Sequence, residues 1–190
     1  MAGGAAATAA TPRPNVVGVG TVVFLASELM FFAGLFAAWY TLRGSTQVWP
    51  PADVELDVLR TGLATAVLVG SSFTMHAADR AAHRDDLDGA VRWVLITFGL
   101  GAVFLGNQVL EYTELDFTHT SHAYGSIFYV MTGLHGLHVL IGLGIMATIL
   151  WVGTGRTRAP LAEPLTMASY YWHFVDVVWV AMFATIYLLS

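Results

Sequence analysis

Hydrophobic residues along this 190-residue chain are concentrated in five long stretches, separated by shorter polar segments. The stretches cover about residues 16–42, 58–78, 91–110, 126–152 and 168–189. Each has roughly the 20 residues that a helix needs to cross the hydrocarbon core of a bilayer. The pattern therefore predicts an all-α fold, a polytopic membrane protein whose five transmembrane helices form one domain over residues 16–190.

The polar segments indicate how the chain enters and re-enters the membrane. Residues 1–15 consist mainly of Ala, Gly, Thr and Pro, and no basic region precedes a short hydrophobic core there. We expect a disordered cytoplasmic tail rather than a signal peptide. The segment Trp49-Pro50-Pro51 separates the first two spans, and proline pairs of this kind end a helix.

The distribution of arginine predicts the orientation. The tail and the second and fourth polar segments share one side of the membrane and carry six arginines, whereas the other side carries two. Positive residues are enriched in short cytoplasmic loops. The N-terminus is therefore expected in the cytoplasm and the C-terminus outside, as in a multi-pass protein of a bacterial plasma membrane.

Composition agrees with lipid as the main solvent. Hydrophobic residues make up 56% of the chain and charged residues 11%, against about 25% charged residues in soluble domains. Cysteine is absent, which excludes disulfides and thiolate metal sites. The formal net charge is −5 and no basic cluster occurs, so nucleic-acid binding has no support.

Several ionisable residues nevertheless fall inside the predicted spans or at their boundaries, where they are costly and usually face the bundle interior. They are Glu28, Glu111, His135, His138, His173 and Asp176. Counting about 1.5 Å per residue places Glu28 level with His135. The same count places His138 level with His173 and Asp176, and puts Glu111 near the outer boundary.

Two interpretations of the buried histidines and Asp176 remain open. His135 and His138 are three residues apart, as are His173 and Asp176, so each pair lies on one helix face. Such side chains could bind a metal in an intramembrane metalloenzyme. The interpretation that we favour is a polar seam of hydrogen bonds between helices, with no metal. Nothing in the pattern supports an axial haem ligand.

Glu28 allows two interpretations of equal weight. An unpartnered carboxylate near the middle of a membrane is expected to be protonated, because an ionised one is poorly solvated there. It either exchanges a proton as part of the function or donates a structural hydrogen bond to a neighbouring helix. A freestanding proton or solute carrier that uses Glu28 as its coupling site is a further alternative.

Several motifs resemble those of one known family. Residues 27–34 read SELMFFAG, residues 49–51 read WPP and residues 108–112 read QVLEY. Residues 124–142 read YGSIFYVMTGLHGLHVLIG and residues 171–179 read YWHFVDVVW. In this order and spacing they are similar to subunit III of the haem–copper cytochrome oxidases, over about residues 15–190. The chain resembles a short, five-helix bacterial form, without the first two helices of seven-helix relatives.

The resemblance implies a non-catalytic core subunit of a terminal oxidase in aerobic respiration. Haem and copper are then expected on partner subunits, with subunit I as the main contact and subunit II as another. Small accessory subunits and a larger respiratory assembly are compatible with this. Glu28 matches the family's buried glutamate that is linked to proton uptake. Family members also hold phospholipid.

Two consequences of the resemblance remain predictions at this level. Arg156 and Arg158 are our candidates for binding a lipid phosphate, on the grounds of their charge and expected depth. The electron donor is expected to be cytochrome c, because Glu28 and the WPP segment favour that type. Subunit III of a quinol oxidase is the alternative.

Overall fold

The computed structural model describes residues 16–155 and 160–189, and within these ranges it contains helices and no strands. The helices are α1 (Val16–Ser45), α2 (Val58–Ala82), α3 (Leu87–Glu114), α4 (Ala123–Thr154) and α5 (Ala162–Phe183), and α5 continues as a π-helical turn, Ala184–Leu188. All five are long and apolar enough to cross a membrane. The predicted all-α fold with five spans is confirmed. The predicted tail, residues 1–15, lies outside the described residues.

The helices extend beyond the predicted spans because their ends are stabilised by polar residues. The side chain of Asp57 accepts a hydrogen bond from the backbone N–H of Arg60 at the start of α2, and Asp86 does the same for Gly89 in α3. Such caps satisfy backbone donors that have no partner inside the helix. Helix α5 begins at Ala162, earlier than predicted. Pro164 lies in its first turn, where proline is tolerated.

Helices α2 to α5 form a ring in which each packs against the next and α5 closes the ring against α2. Helix α1 lies outside this four-helix bundle, against α4 and α5. Of its 30 residues only Phe32 and Trp39 are buried. The remaining apolar surface of α1 therefore faces the surroundings of the chain.

Two fully buried tryptophans of α5 occupy the centre of the bundle. Trp172 fits between Gly101 of α3 and Gly142 of α4, where a Cβ atom would lie within 2.7 Å of the indole ring. Trp179 packs edge-on against Phe104, with ring centroids 4.8 Å apart. Each indole N–H also donates a hydrogen bond to a hydroxyl of α2. Helix α5 is thus the central element of the packing.

The two ends of the bundle are named here by the chain segments found there. The inner end contains the start of α1, the end of α2 and the start of α5. The contact of Thr21 with Met167 joins the first and last of these. The outer end contains the segment between α1 and α2 and the segment between α3 and α4. Ring contacts of Trp49 with Trp39 and Tyr124 hold the outer end together.

Candidate functional site

The closest contact between ionisable groups of α1 and α4 is that of Glu28 with His138. The Glu28 Oε2 atom lies 3.0 Å from His138 Nε2, and the two side chains are 21% and 11% exposed. The other ring nitrogen, Nδ1, lies 2.7 Å from the carbonyl oxygen of Leu134. A carbonyl only accepts, so Nδ1–H donates to it. The Glu28–His138 contact therefore holds a single proton, carried either by the carboxyl or by Nε2.

Aromatic side chains shield this pair. The ring of Phe32, which is 1% exposed, lies 5.2 Å from the His138 imidazole, centroid to centroid. The Tyr171 hydroxyl donates a hydrogen bond of 3.0 Å to the backbone carbonyl of His138. This arrangement fixes α4 against both α1 and α5. The pair therefore lies among apolar groups. In such surroundings the movement of one proton between Glu28 and His138 has a large electrostatic effect.

An apolar groove lies on the inner side of the pair, between α1 and the α4–α5 face. Its volume is about 450 Å³. It is lined by Gly20, Thr21, Phe24, Ile141, Ile145, Pro164, Met167, Ala168 and Tyr171. Tyr171 thus borders the groove and also contacts the backbone of His138. Apart from the hydroxyls of Thr21 and Tyr171, the side chains of this surface are suited to hydrocarbon.

The prediction that Glu28 shares a layer with His135 is wrong, because its partner is His138. Helix α4 has 32 residues, about 48 Å at 1.5 Å per residue. It is longer than the hydrocarbon core is thick. Between the observed outer ends, Glu28 is 17 residues from Ser45, His138 is 15 residues from Ala123 and His135 is 12 residues from Ala123. His138 is therefore closer in depth to Glu28 than His135 is.

His135 has a different environment, although it lies one turn from His138. It is 1% exposed and stacks on Trp179 with ring centroids 4.8 Å apart. The edge of its ring also faces Phe104. Within the described part of the chain, neither of its ring nitrogens has a hydrogen-bond partner. His135 is thus packed among aromatic rings of the bundle centre.

His173 and Asp176 of α5 both contact one hydroxyl of α2. His173 Nδ1 lies 3.0 Å from Ser72 Oγ, and the Ser72 hydroxyl donates to Asp176 Oδ2. Asp176 is buried, with 4% of its surface exposed. His173 and Asp176 therefore meet at one hydroxyl of α2, whereas His138 contacts Glu28 of α1. The predicted single seam is divided between the α1–α4 and α2–α5 interfaces.

Glu111 is a second buried carboxyl besides Asp176, and it lies at the outer end as predicted. It is 2% exposed. Thr61 and Tyr187 donate hydrogen bonds of 3.2 and 2.8 Å to its Oε1 atom, and the Gln108 amide lies 3.3 Å from Oε2. Tyr187 belongs to the π-helical turn. This cluster ties α2 and α3 to the end of the chain.

The hydroxyl partners Ser72 and Thr61 were not among the predicted site residues. Helical spacing in the sequence could have indicated them, because Thr61, Thr65 and Ser72 lie on one face of α2. All three bind polar atoms of α3, α5 or the π-helical turn. Arg156 and Arg158, the predicted lipid-phosphate candidates, lie outside the described residues.

The residues of the metalloenzyme alternative do not converge on one point. His138 faces Glu28 on α1, His135 is enclosed by aromatic rings, and His173 and Asp176 face Ser72. Among residues 16–155 and 160–189, no three His, Asp or Glu side chains are grouped as a metal site requires.

Fold and site together define a polytopic membrane protein whose interior carries hydrogen-bonded carboxyl groups. The chain belongs to the cytochrome c oxidase subunit III family, whose sequence profile matches residues 8–190. It is 41% identical to the cytochrome c oxidase subunit 3 of Thermostichus vulcanus, covering 94% of this chain and 90% of that protein. It is 48% identical to a probable cytochrome c oxidase subunit 3 of Mycobacterium bovis, covering 92% and 89%. A third relative, from Corynebacterium diphtheriae, is 43% identical over 96% of this chain and 92% of its own length.

Proposed function

We propose that the chain is a non-catalytic core subunit of a bacterial cytochrome c oxidase, inserted in the plasma membrane with its inner end on the cytoplasmic side. Membership of the subunit III family, over nearly the whole chain, carries this proposal. The names of the relatives favour cytochrome c over quinol as the electron donor. The excess of arginine in segments at the inner end supports the orientation.

In this role the chain stabilises the catalytic subunit and carries no redox centre. Haem and copper belong to the partner subunits, I and II. The uncovered apolar surface of α1, which includes Leu29 and Met30 at 58% and 76% exposure, is available for a neighbouring subunit or lipid. The subunit III chain purified alone should therefore bind neither haem nor copper. Stoichiometric metal on the isolated chain would contradict the proposal.

The Glu28–His138 pair is proposed to support proton uptake by the oxidase. Its single shared proton is what a proton-exchanging site needs, since the proton moves between two groups 3.0 Å apart. The apolar groove beside the pair is proposed to hold a phospholipid acyl chain. Its volume, its apolar lining and its opening toward the inner end support this. A phospholipid there would also keep bulk water away from the pair.

The variant Glu28→Gln tests the proton role. Glutamine keeps the length of the side chain and can donate a hydrogen bond to His138 Nε2, but it has no exchangeable acidic proton. The purified oxidase should contain the chain and its haems in normal amounts and begin turnover at nearly the normal rate. Its active lifetime during continuous turnover should be several-fold shorter. Glu55→Gln, an exposed change in the segment between α1 and α2, is the control.

Two results would argue against the proton role. An unchanged lifetime of the Glu28→Gln oxidase would show that no proton need reach this pair. Failure of the variant oxidase to assemble would show that the hydrogen bond between α1 and α4 is mainly structural.

A further inference from the structure

A second polar feature runs along the interface of α2 and α5, on a different face of α5 from the Glu28–His138 pair. Along α2 and its C-cap residue, positions 72, 76, 79 and 83 are spaced by four, three and four residues and therefore lie on one face. They are Ser72, His76, Asp79 and His83. Helix α5 contributes Thr166, His173 and Asp176. Each of these side chains can donate or accept a hydrogen bond.

Contacts join the members of this row in two groups, one at the inner end and one further into the bundle. His83 Nε2 lies 3.0 Å from Thr166 Oγ1, and the Thr166 hydroxyl donates to Asp79 Oδ1 at 2.7 Å. Further into the bundle, His173 Nδ1 lies 3.0 Å from Ser72 Oγ. His76 lies between the two groups along the same face of α2.

The two ends of this row differ in exposure. The His83 side chain is 56% exposed and that of Asp79 19%, whereas Asp176 is 4% exposed. His76 is exposed and His173 and Ser72 are half-buried. The row therefore begins in contact with the surroundings at the inner end and ends at a carboxyl group within the bundle.

One oxygen of the Asp176 carboxyl has no hydrogen-bond partner in this row. Its Oδ2 atom accepts from Ser72, but Oδ1 is buried without a hydrogen-bond partner in the described residues. An ionised carboxylate in that position would carry a poorly solvated charge, whereas a protonated carboxyl would carry no charge. Protonation of Asp176 therefore requires that a proton can reach this buried group.

We propose that the α2–α5 row is a proton-access route that connects water at the inner end with Asp176. In the last steps the Ser72 hydroxyl gives its proton to the ionised Asp176 carboxylate and takes one from Nδ1 of a doubly protonated His173, which leaves His173 neutral. His173 is reprotonated from water at the end of the row that contains Asp79 and His83. One O–H bond forms at Asp176 and one O–H bond of a hydrated proton is lost at the surface, so the charge balances.

This inference goes beyond the proposed role of Glu28, because the two carboxyls are reached by different contacts. Other titratable groups that face α5 lie on every neighbouring element. They are Glu28 of α1, Glu111 of α3, His135 and His138 of α4, and Tyr187 of the π-helical turn. Only the assignment of the inner end to the cytoplasm depends on the proposed orientation.

The test is the exchange of the Asp176 proton for deuterium, followed by infrared spectroscopy in the purified complex that contains this chain. The C=O band of a protonated carboxyl shifts when its proton is replaced, and Asp176→Asn identifies the band that belongs to Asp176. We expect this band to exchange readily in the unmodified complex. Ser72→Ala should slow the exchange by about tenfold or more, the effect of about 1.4 kcal/mol on a barrier.

Ser71→Ala is the matched control, because it removes a hydroxyl from the neighbouring residue of the same helix. The Ser71 hydroxyl binds the Trp172 N–H and is not part of the row. This variant should exchange as fast as the unmodified complex, even if its thermal stability falls. His83→Phe should slow exchange from the inner side. If Asp176→Asn fails to assemble, Asp176→Glu, which keeps a carboxyl group and shifts its band, identifies the band instead.

Three results would overturn the proposal. One is equal exchange rates in Ser72→Ala and the unmodified complex. Another is equal slowing by Ser71→Ala and Ser72→Ala, which indicates a general effect of packing. The third is the absence of an Asp176 carboxyl band at every pH at which the complex is stable. Oxidase activity is not the readout, so failure here would leave the proposed function of the chain standing.

Discussion

Packing at the centre of the bundle predicts that Gly142→Ala destabilises the chain. A Cβ atom at Gly142 would lie 2.7 Å from Cζ3 and 2.8 Å from Cε3 of Trp172. Trp172 is fully buried, and its ring cannot simply move away. A Cβ at Gly101, on the opposite helix, would also lie 2.7 Å from it. The ring therefore lies between the backbones of α3 and α4, with no space on either side.

The expected magnitude follows from two opposing effects. Adding a methyl group to a filled core costs about 1–3 kcal/mol. Replacing glycine by alanine inside a helix contributes roughly 0.5–1 kcal/mol in the opposite direction. Helices in lipid associate largely through close packing, so we expect the steric cost to dominate. At about 2–4 °C per kcal/mol for a chain of this size, the melting temperature should fall by several degrees.

Gly144→Ala is the matched control, because it lies on the same helix and a Cβ there meets no atom within 4 Å. Thermal melting of the purified complex, followed by release of this chain, measures both variants. Gly144→Ala should be neutral or slightly stabilising, and Gly142→Ala should melt clearly lower. Equal melting temperatures of the two variants would refute the packing described for Trp172.

Two further predictions concern single hydrogen bonds. Tyr187→Phe removes a 2.8 Å donor from the buried Glu111 carboxyl and should cost about 1–3 kcal/mol, since a buried acceptor is left poorly paired. Tyr170→Phe, an exposed position of α5, is its control, and equal melting of these variants would contradict the buried cluster. Asp86→Ala removes the cap of α3 and should cost about 0.5–2 kcal/mol. Asp86→Asn keeps an acceptor oxygen and should restore most of that loss; no difference between the two would contradict the cap.

The five helices could be predicted from the sequence because lipid leaves the backbone few alternatives. A long apolar stretch in a bilayer must satisfy its hydrogen bonds internally, and a helix does so. Helix spacing also shows that Trp172 and Trp179 share a face of α5. It does not show that this face is the centre of the bundle. That depends on the order of the helices around the ring.

The partners of the polar residues could not be predicted in the same way. Glu28 contacts His138 rather than His135, which lies one turn away on the same helix, and a count of residues along two helices does not fix relative depth to within one turn. Asp176 meets Ser72 because of how α2 and α5 are rotated about their axes. Hydropathy carries no information on such rotations. The hydroxyl positions along α2 were the one available indication of a polar interface there.

Purification through a tag on this chain tests the central proposal most directly. Gentle solubilisation of native membranes, followed by haem spectroscopy and mass spectrometry, identifies what the chain binds. We predict that it co-purifies with catalytic subunits that contain haem and copper, and that the complex oxidises reduced cytochrome c. Recovery of the chain without any haem protein would contradict the proposed function. Recovery with a complex that oxidises only quinol would contradict the proposed electron donor.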